Sequence, residues 1–157
     1  MNWFENAVFY HIYPIGYFGC PRQNDFTSEP THKILRVIDD IPHIKELGCN
    51  AVYFGPVFES SAHGYDTADY TKIDRRLGTN EDFKKVCDAL HENGIRVVLD
   101  GVFNHVGRDF WAFRDVRENK LGSAKKDWFH VREGNDGYND GFWYEGWEGH
   151  YELVKLN

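Results

Sequence analysis

The stretch Ile95-Arg-Val-Val-Leu99, followed at once by Asp100-Gly-Val-Phe-Asn104-His105, decides the fold. Almost continuous apolar character over five residues reads as a strand covered on both faces, the pattern of a parallel sheet. Asp100 then stands at the C-terminal tip of that strand, where a buried charge needs a partner. Upstream, Thr79 reads as a helix N-cap, with Asp82 at the third helical position and Glu81 near the positive helix end. That helix closes at Asn93-Gly94. Asn50-Ala-Val-Tyr-Phe54 is an earlier strand closed by Gly55-Pro56, and Ala7-Val-Phe-Tyr-His-Ile-Tyr13 a first one ended by Pro14. Ile34 to Leu47 has helical spacing and stops at Gly48. Pro42 falls inside it and predicts a break there, with Asp39 or Asp40 capping a second short helix.

The order strand-helix-strand-helix-strand predicts right-handed crossovers and an α/β fold with a parallel sheet. The helix-to-strand joints are tight and the strand-to-helix connections long, above all Val57 to Asn80. Functional groups are therefore expected at the C-terminal ends of the strands. After Gly107 the character changes. Arg108 to Asn157 is dense in aromatic and acidic residues and carries no further strand-helix repeat. Asp127 to Arg132 reads as a short strand, and Asn135-Asp-Gly137 and Asn139-Asp-Gly141 as turns. The organisation predicted is three strands with their helices over residues 1–107, then an irregular insertion over 108–157. Three parallel strands cannot close a barrel and an open three-stranded sheet would leave bare edges, so the sequence reads as unfinished, with strand edges that should drive self-association.

Of the 157 residues, 41% are hydrophobic, enough for a core, and the net charge of −7 argues against nucleic acid and anionic membrane surfaces as partners. No stretch approaches the ~20 apolar residues of a membrane helix. Met1-Asn-Trp-Phe-Glu-Asn6 has neither a basic nor a long apolar leader region, so a cytoplasmic location is expected. Cys20, Cys49 and Cys87 form an odd set without CxxC spacing; Cys87 shares a helical face with Phe83, Val86 and Leu90 and reads as packing. Five tryptophans, nine tyrosines and twelve phenylalanines are an unusual load, which in an acidic protein suits stacking on sugar rings.

Two constellations carry chemistry. Asp100, Asn104 and His105 lie within six positions. Asp100 reads either as a structural carboxylate that orders its loop or as the partner of an arginine. A neutral imidazole at His105 can donate to a sugar hydroxyl, and the trio is also compatible with a metal. His63-Gly-Tyr65-Asp66, with Asp69-Tyr70 after it, places a ring beside a carboxylate. That is the minimal sugar clamp, in which the ring covers a C–H face and the carboxylate accepts from hydroxyls. Its plainer reading is a ring packed under its loop beside a solvated carboxylate.

In this order and spacing the motifs resemble the α-amylase family of glycoside hydrolases (family 13). Val8-Phe-Tyr-His-Ile-Tyr-Pro14 and Asn50-Ala-Val-Tyr-Phe-Gly-Pro56 resemble the first two strands of the family's (β/α)8 TIM barrel. His63-Gly-Tyr-Asp-Thr-Ala-Asp-Tyr70 is similar to its first glucose-subsite loop, and Thr79-Asn-Glu-Asp-Phe83 to the start of its second helix. Asp100-Gly-Val-Phe-Asn-His105 is similar to its first signature region. Leu153-Val-Lys-Leu-Asn157 resembles the motif near the end of the B domain inserted after strand three, in the form of neopullulanase and cyclomaltodextrinase relatives, with Val154 where those usually have proline. The resemblance implies a partial TIM barrel with a B-domain insertion and an α-glucan or maltooligosaccharide substrate for the full-length protein. It implies that Tyr65 stacks on the glucose of the −1 subsite, Asp66 holds that sugar's distal hydroxyls, and His105 bonds its 6-hydroxyl. Asp100 would position an arginine beside the nucleophile. Asn104 would match a calcium ligand that many neopullulanase-type relatives do without, so no cofactor is required.

Retaining hydrolysis needs two carboxylates about 5 Å apart. In the family these lie on strands four and five, past Asn157, so the chain by itself is expected to be inactive. Glu145 and Glu148 qualify as substitutes only by residue type; their Trp-rich setting suits a turn lining the cleft. Two other readings remain open on sequence. One is a non-catalytic carbohydrate-binding or scaffold module retaining Tyr65, Asp66 and His105; the other is a different TIM-barrel enzyme, such as a phosphate-handling one.

Overall fold

The structure, a computed structural model, describes residues 2–157; Met1, the first residue of the stretch read for a leader, lies outside them. In chain order the first half carries β1 (Phe9–Ile12), α1 (Pro14–Tyr17), α2 (Val37–Glu46), β2 (Ala51–Phe54) and β3 (Phe58–Ser60). Then come β4 (Thr67–Ile73), α3 (Asn80–Glu92) and β5 (Arg96–Leu99). The second half adds β6 (His105–Gly107), α4 (Trp111–Asn119), β7 (Val131–Arg132), β8 (Trp143–Tyr144), β9 (Gly146–Trp147) and β10 (His150–Lys155). Two compact units result. One takes residues up to Val57 with 72–101, the other 58–71 with 102–157. Compactness thus groups residues differently from a cut at 107/108, because β6 pairs antiparallel with β10 and shares a sheet with β9.

In the first unit β1, β2 and β5 form the parallel sheet predicted from their patterns, in the order β1-β2-β5. Val52 and Phe54 are fully buried on one face of β2, where the Phe54 ring lies 5.5 Å from Phe83 of α3. Burying each such side chain contributes about 1.5–3 kcal/mol. The opposite face carries His11 and Tyr53, paired in register with ring centroids 4.8 Å apart. A buried ion pair braces the turn before α3: Arg76 donates to both Asp74 oxygens at 2.7 and 2.9 Å, and to the Pro21 carbonyl at 2.9 Å.

The predicted cap of α3 is present in full. Asp82 N–H donates to the Thr79 hydroxyl at 3.1 Å and Thr79 N–H donates to the Asp82 carboxylate at 3.0 Å, a capping box. Gly94, at φ +74°, takes the left-handed position after the helix. His32 Nδ1 sits 2.6 Å from the same carboxylate. Burial raises the Asp82 pKa, but the bonds from His32 and from Thr79 outweigh it and leave a net lowering.

Four expectations are corrected. Pro42 does not break its helix: α2 runs unbroken from Val37 to Glu46, preceded by a 3₁₀ turn at Lys33–Arg36. Burial of Val37, Ile41 and Ile44 on one face offsets the single hydrogen bond that proline removes. β5 is not covered on both faces within the described residues, since Val97 and Val98 are half-buried and Leu99 is exposed. The connection after β2 is not a plain loop, because β3 and β4 pair within it. The aromatic tail is more regular than predicted. It contains α4, the antiparallel sheet β6-β10-β9 and the β7–β8 pair, whereas the strand expected over 127–132 shrinks to Val131–Arg132.

The second unit has its own core, in which Phe113, Phe142, Tyr144, Val106 and Val154 are fully buried. Arg108 is bidentate to Asp140, at 2.7 and 3.1 Å, donates to the Tyr144 hydroxyl, and lies 3.8 Å from the centre of the Tyr138 ring. Tyr144 donates onward to the Tyr151 carbonyl at 2.8 Å. Burial raises the Tyr144 pKa, so the hydroxyl stays protonated as that donor. Gly107 lies against residue 66: a Cβ there would come within 2.3 Å of the Asp66 carbonyl oxygen. Only glycine admits that approach.

Gly107→Ala should therefore destabilise the chain by about 1–3 kcal/mol or more in denaturant unfolding, whereas Gly122→Ala, with nothing within 4 Å of its Cβ, should stay within about 0.5 kcal/mol. Thr79→Ala should cost about 1 kcal/mol by removing half the capping box. The Asp82 carboxylate contributes stability that is complete above the unfolded-chain value near 4 and is lost as pH falls through its lower folded value. A melting temperature that rises between about pH 5 and about pH 3 would contradict this.

Candidate functional site

The loop between β3 and β4 is built around Asp66. Its Oδ1 accepts from the backbone N–H groups of His63 at 3.1 Å and Gly64 at 3.2 Å, which suits a short carboxylate closing its own turn. The Tyr65 N–H donates to His63 Nδ1 at 3.2 Å. Asp66 is 5% exposed and the next ring outward, Tyr65, 37%. The loop thus buries a carboxylate and lifts an aromatic face toward solvent. Both readings of Asp66 meet here, because one oxygen orders the loop and the other is not needed for that task.

The strand that receives this loop is β6. The approach of Gly107 to the Asp66 backbone sets the loop two residues from His105, on the same side of the strand by alternation. His105 is 8% exposed. The Asn104 amide donates to its Nδ1 at 3.1 Å, an assignment that puts the ring proton on Nε2 and makes that nitrogen a donor. Tyr70, from the same loop-and-strand segment as Asp66, donates its hydroxyl to the Val102 carbonyl, with the His105 carbonyl at 3.3 Å. Val102 holds φ +43°, strained for a β-branched residue, and the Tyr70 bond falls on its carbonyl. Of the predicted residues, Tyr65, Asp66 and His105 are thus brought into one unit, joined by a backbone contact.

Sequence reading missed one residue by name. The Trp147 ring centre lies 5.6 Å from that of His105, at 33° between planes, and the indole is partly exposed. It is put there by a two-residue hairpin, since Trp147 pairs with His150 and both Glu148 (φ +49°) and Gly149 (φ +87°) have the positive φ of a type I′ turn. The signal was legible as the Glu148-Gly149 turn between alternating aromatics.

Asp100 belongs to the other unit. It follows β5 and accepts from the Tyr53 hydroxyl at 2.8 Å, on the row that includes Val98 and Tyr53. Among the described residues no group of three or more His, Cys, Asp or Glu side chains is disposed to hold a metal ion. Exposed Asn104 offers one amide oxygen where calcium takes six to eight, and its amide nitrogen already serves His105. These residues do not fit a calcium cage. Glu145 is held by Lys155 at 2.7 Å, which lowers its pKa, the wrong direction for a general acid. Glu148 is a turn residue. What the site can do is grip a neutral, hydroxyl-rich ligand with a ring face, a carboxylate and an imidazole donor.

Comparison with known proteins follows the same line. Residues 31–153 match the catalytic domain family of alpha-amylase. A cyclomaltodextrinase of a Bacillus species is 42% identical over 144 residues, 83% of this chain and 26% of that protein. Neopullulanase 2 of Thermoactinomyces vulgaris is 39% identical over 147 residues, 84% of this chain and 25% of its own. The solved structure of cyclic alpha-maltosyl-(1→6)-maltose hydrolase from Arthrobacter globiformis, in complex with maltose, is similar with a TM-score of 0.82. It is 38% identical and covers 100% of this chain and 39% of that one. The chain spans about a quarter of the length of the curated relatives it matches. Such homology implies a partial TIM-barrel fold, in keeping with the parallel β1-β2-β5 sheet. With most of its length matched to that catalytic domain, this chain belongs to the alpha-amylase family.

Proposed function

We propose that this chain supplies the sugar-gripping part of a retaining α-glucan hydrolase. Relatives bearing the names cyclomaltodextrinase, maltogenic alpha-amylase and neopullulanase support an α-linked glucan as substrate. The observation that carries the reading is the Gly107–Asp66 approach, which brings the Tyr65 loop against the strand of His105. In this reading Tyr65 stacks on the C–H face of the glucose at −1, Asp66 accepts from its distal hydroxyls through Oδ2, and His105 Nε2–H donates to its 6-hydroxyl. Trp147 extends the apolar wall beside His105. Asp100, oriented by Tyr53, takes the part of the carboxylate that positions an arginine next to the nucleophile. The nucleophile and the acid/base are carboxylates outside these residues, consistent with the lowered pKa of Glu145. Asn104 serves the tautomer of His105 in place of a metal, and no cofactor is needed.

The grip is testable on the chain itself. Millimolar maltotriose should perturb the NMR signals of Tyr65, Asp66, His105 and Trp147 together, and Tyr65→Ala should weaken that binding about tenfold, the worth of one aromatic contact. Perturbations confined to other residues, or none at all, would remove the reading. The chain alone should also self-associate, because β1 and β5 form the two sides of the three-stranded sheet and expose Phe9 and Leu99. Light scattering would detect it; a monodisperse monomer with one cooperative melt would contradict it.

A further inference from the structure

Two tryptophans of the second unit stand outside the grip and at the edge of its core, where the Trp111 ring centre lies 5.6 Å from that of Phe110. Their sequence neighbours Phe110, Phe113 and Phe129 point inward and are buried, whereas Trp111 is 51% and Trp128 42% exposed. The indoles meet each other at 5.3 Å between centres and 78° between planes. Lys125 sets its ammonium 5.4 Å from one ring centre and 5.1 Å from the other, seated between the two. Leaving two indoles half in water forgoes burial that neighbouring phenylalanines achieve, which calls for a use.

The backbone under this pair is braced. Trp111 opens α4. Lys125 N–H donates to the Ser123 hydroxyl at 2.9 Å, and Ser123 in turn donates to Asp115 of α4. Trp128 N–H donates to the Lys125 carbonyl at 3.0 Å, and the Trp128 carbonyl accepts from Asn157 N–H at 2.9 Å. Rings held in place before a ligand arrives spare it the ordering cost.

We infer that Trp111, Trp128 and Lys125 form a second glucan-binding surface, for a run of α-linked glucose units away from the scissile bond. Successive pyranoses of an α-linked chain are turned relative to one another, so two crossed indoles meet neighbouring sugar faces as one flat ring cannot. Lys125, anchored between the rings, supplies hydrogen-bond donors to the hydroxyl edge. The inference rests on the glucan reading above, but it uses different residues. Lys126 and Asp127 follow Lys125 in sequence and offset each other's charge, so an acidic polymer is the other outcome that the test separates.

Affinity electrophoresis of the 157-residue chain in native gels containing glycogen separates the possibilities. The chain should be retarded. The Trp111→Ala, Trp128→Ala double variant should bind glycogen at least about tenfold more weakly, and Tyr65→Ala should retain most of the retardation. The single variants Trp111→Phe and Trp128→Phe keep an aromatic face and the fold, and should each lose only a few-fold. Unchanged retardation of the double variant, or of both phenylalanine variants if the double variant does not fold, overturns the inference. So does retardation in dextran sulfate but not in glycogen. If Tyr65→Ala alone abolishes retardation, the indole surface falls while the Tyr65 grip stands; if only the maltotriose perturbation is missing, the grip falls and the indole surface stands.

Discussion

The second unit depends on one close approach, the backbone of Asp66 lying on Gly107. It replaces side-chain packing with backbone contact, and a single added methyl group at residue 107 would collide with the Asp66 carbonyl. The rest of the local structure serves that contact. Asp66 spends one oxygen on its own turn, so the loop arrives already shaped. Tyr70, at the end of the same motif, reaches the carbonyl of strained Val102 and so joins the His63–Tyr70 segment to the Val102–His105 segment. Two stretches separated by an entire helix and strand become one rim through a glycine and a hydroxyl.

Charge in this acidic chain is organised by the same economy. Each unit has an arginine locked in bidentate contact with a carboxylate, Arg76 with Asp74 and Arg108 with Asp140. Such pairs add little net stability over an apolar substitute, yet removing one partner leaves a buried charge alone. Their value here is positional. Arg76 ties the turn before α3 to the chain at Pro21, and Arg108 gathers Asp140, Tyr138 and Tyr144 from a segment whose glycines and asparagines would not hold a shape by themselves.

What could be read beforehand follows the range of the forces involved. The three parallel strands, the Thr79 cap and the stop at Gly94 are local signals of pattern and capping, and all three were legible. Tyr65, Asp66 and His105 stood out by residue type and spacing, but the contact that joins two of their segments depends on a clash at Gly107 that no spacing announces. Pro42 misled because the propensity penalty is local while the burial of Val37, Ile41 and Ile44 is tertiary. β5 misled in the other direction: its apolar run speaks of neighbours on both faces, and these residues provide fewer. In the aromatic tail the sheet β6-β10-β9 is a non-local pairing, and its register only exists once Gly146 lets His150 and Tyr151 pass close by.

The two roles open to Asp66 on sequence, loop former and sugar ligand, need not compete. A carboxylate that turned freely would lose side-chain freedom on binding a hydroxyl and give back part of the bond. Held through Oδ1 by two backbone amides, the group has already given up that freedom. His105 is treated alike: the Asn104 amide at Nδ1 fixes the ring and, by occupying that nitrogen, determines which edge carries the proton. On the proposed reading, a loop that looks structural by its hydrogen bonds is also the loop that meets the sugar.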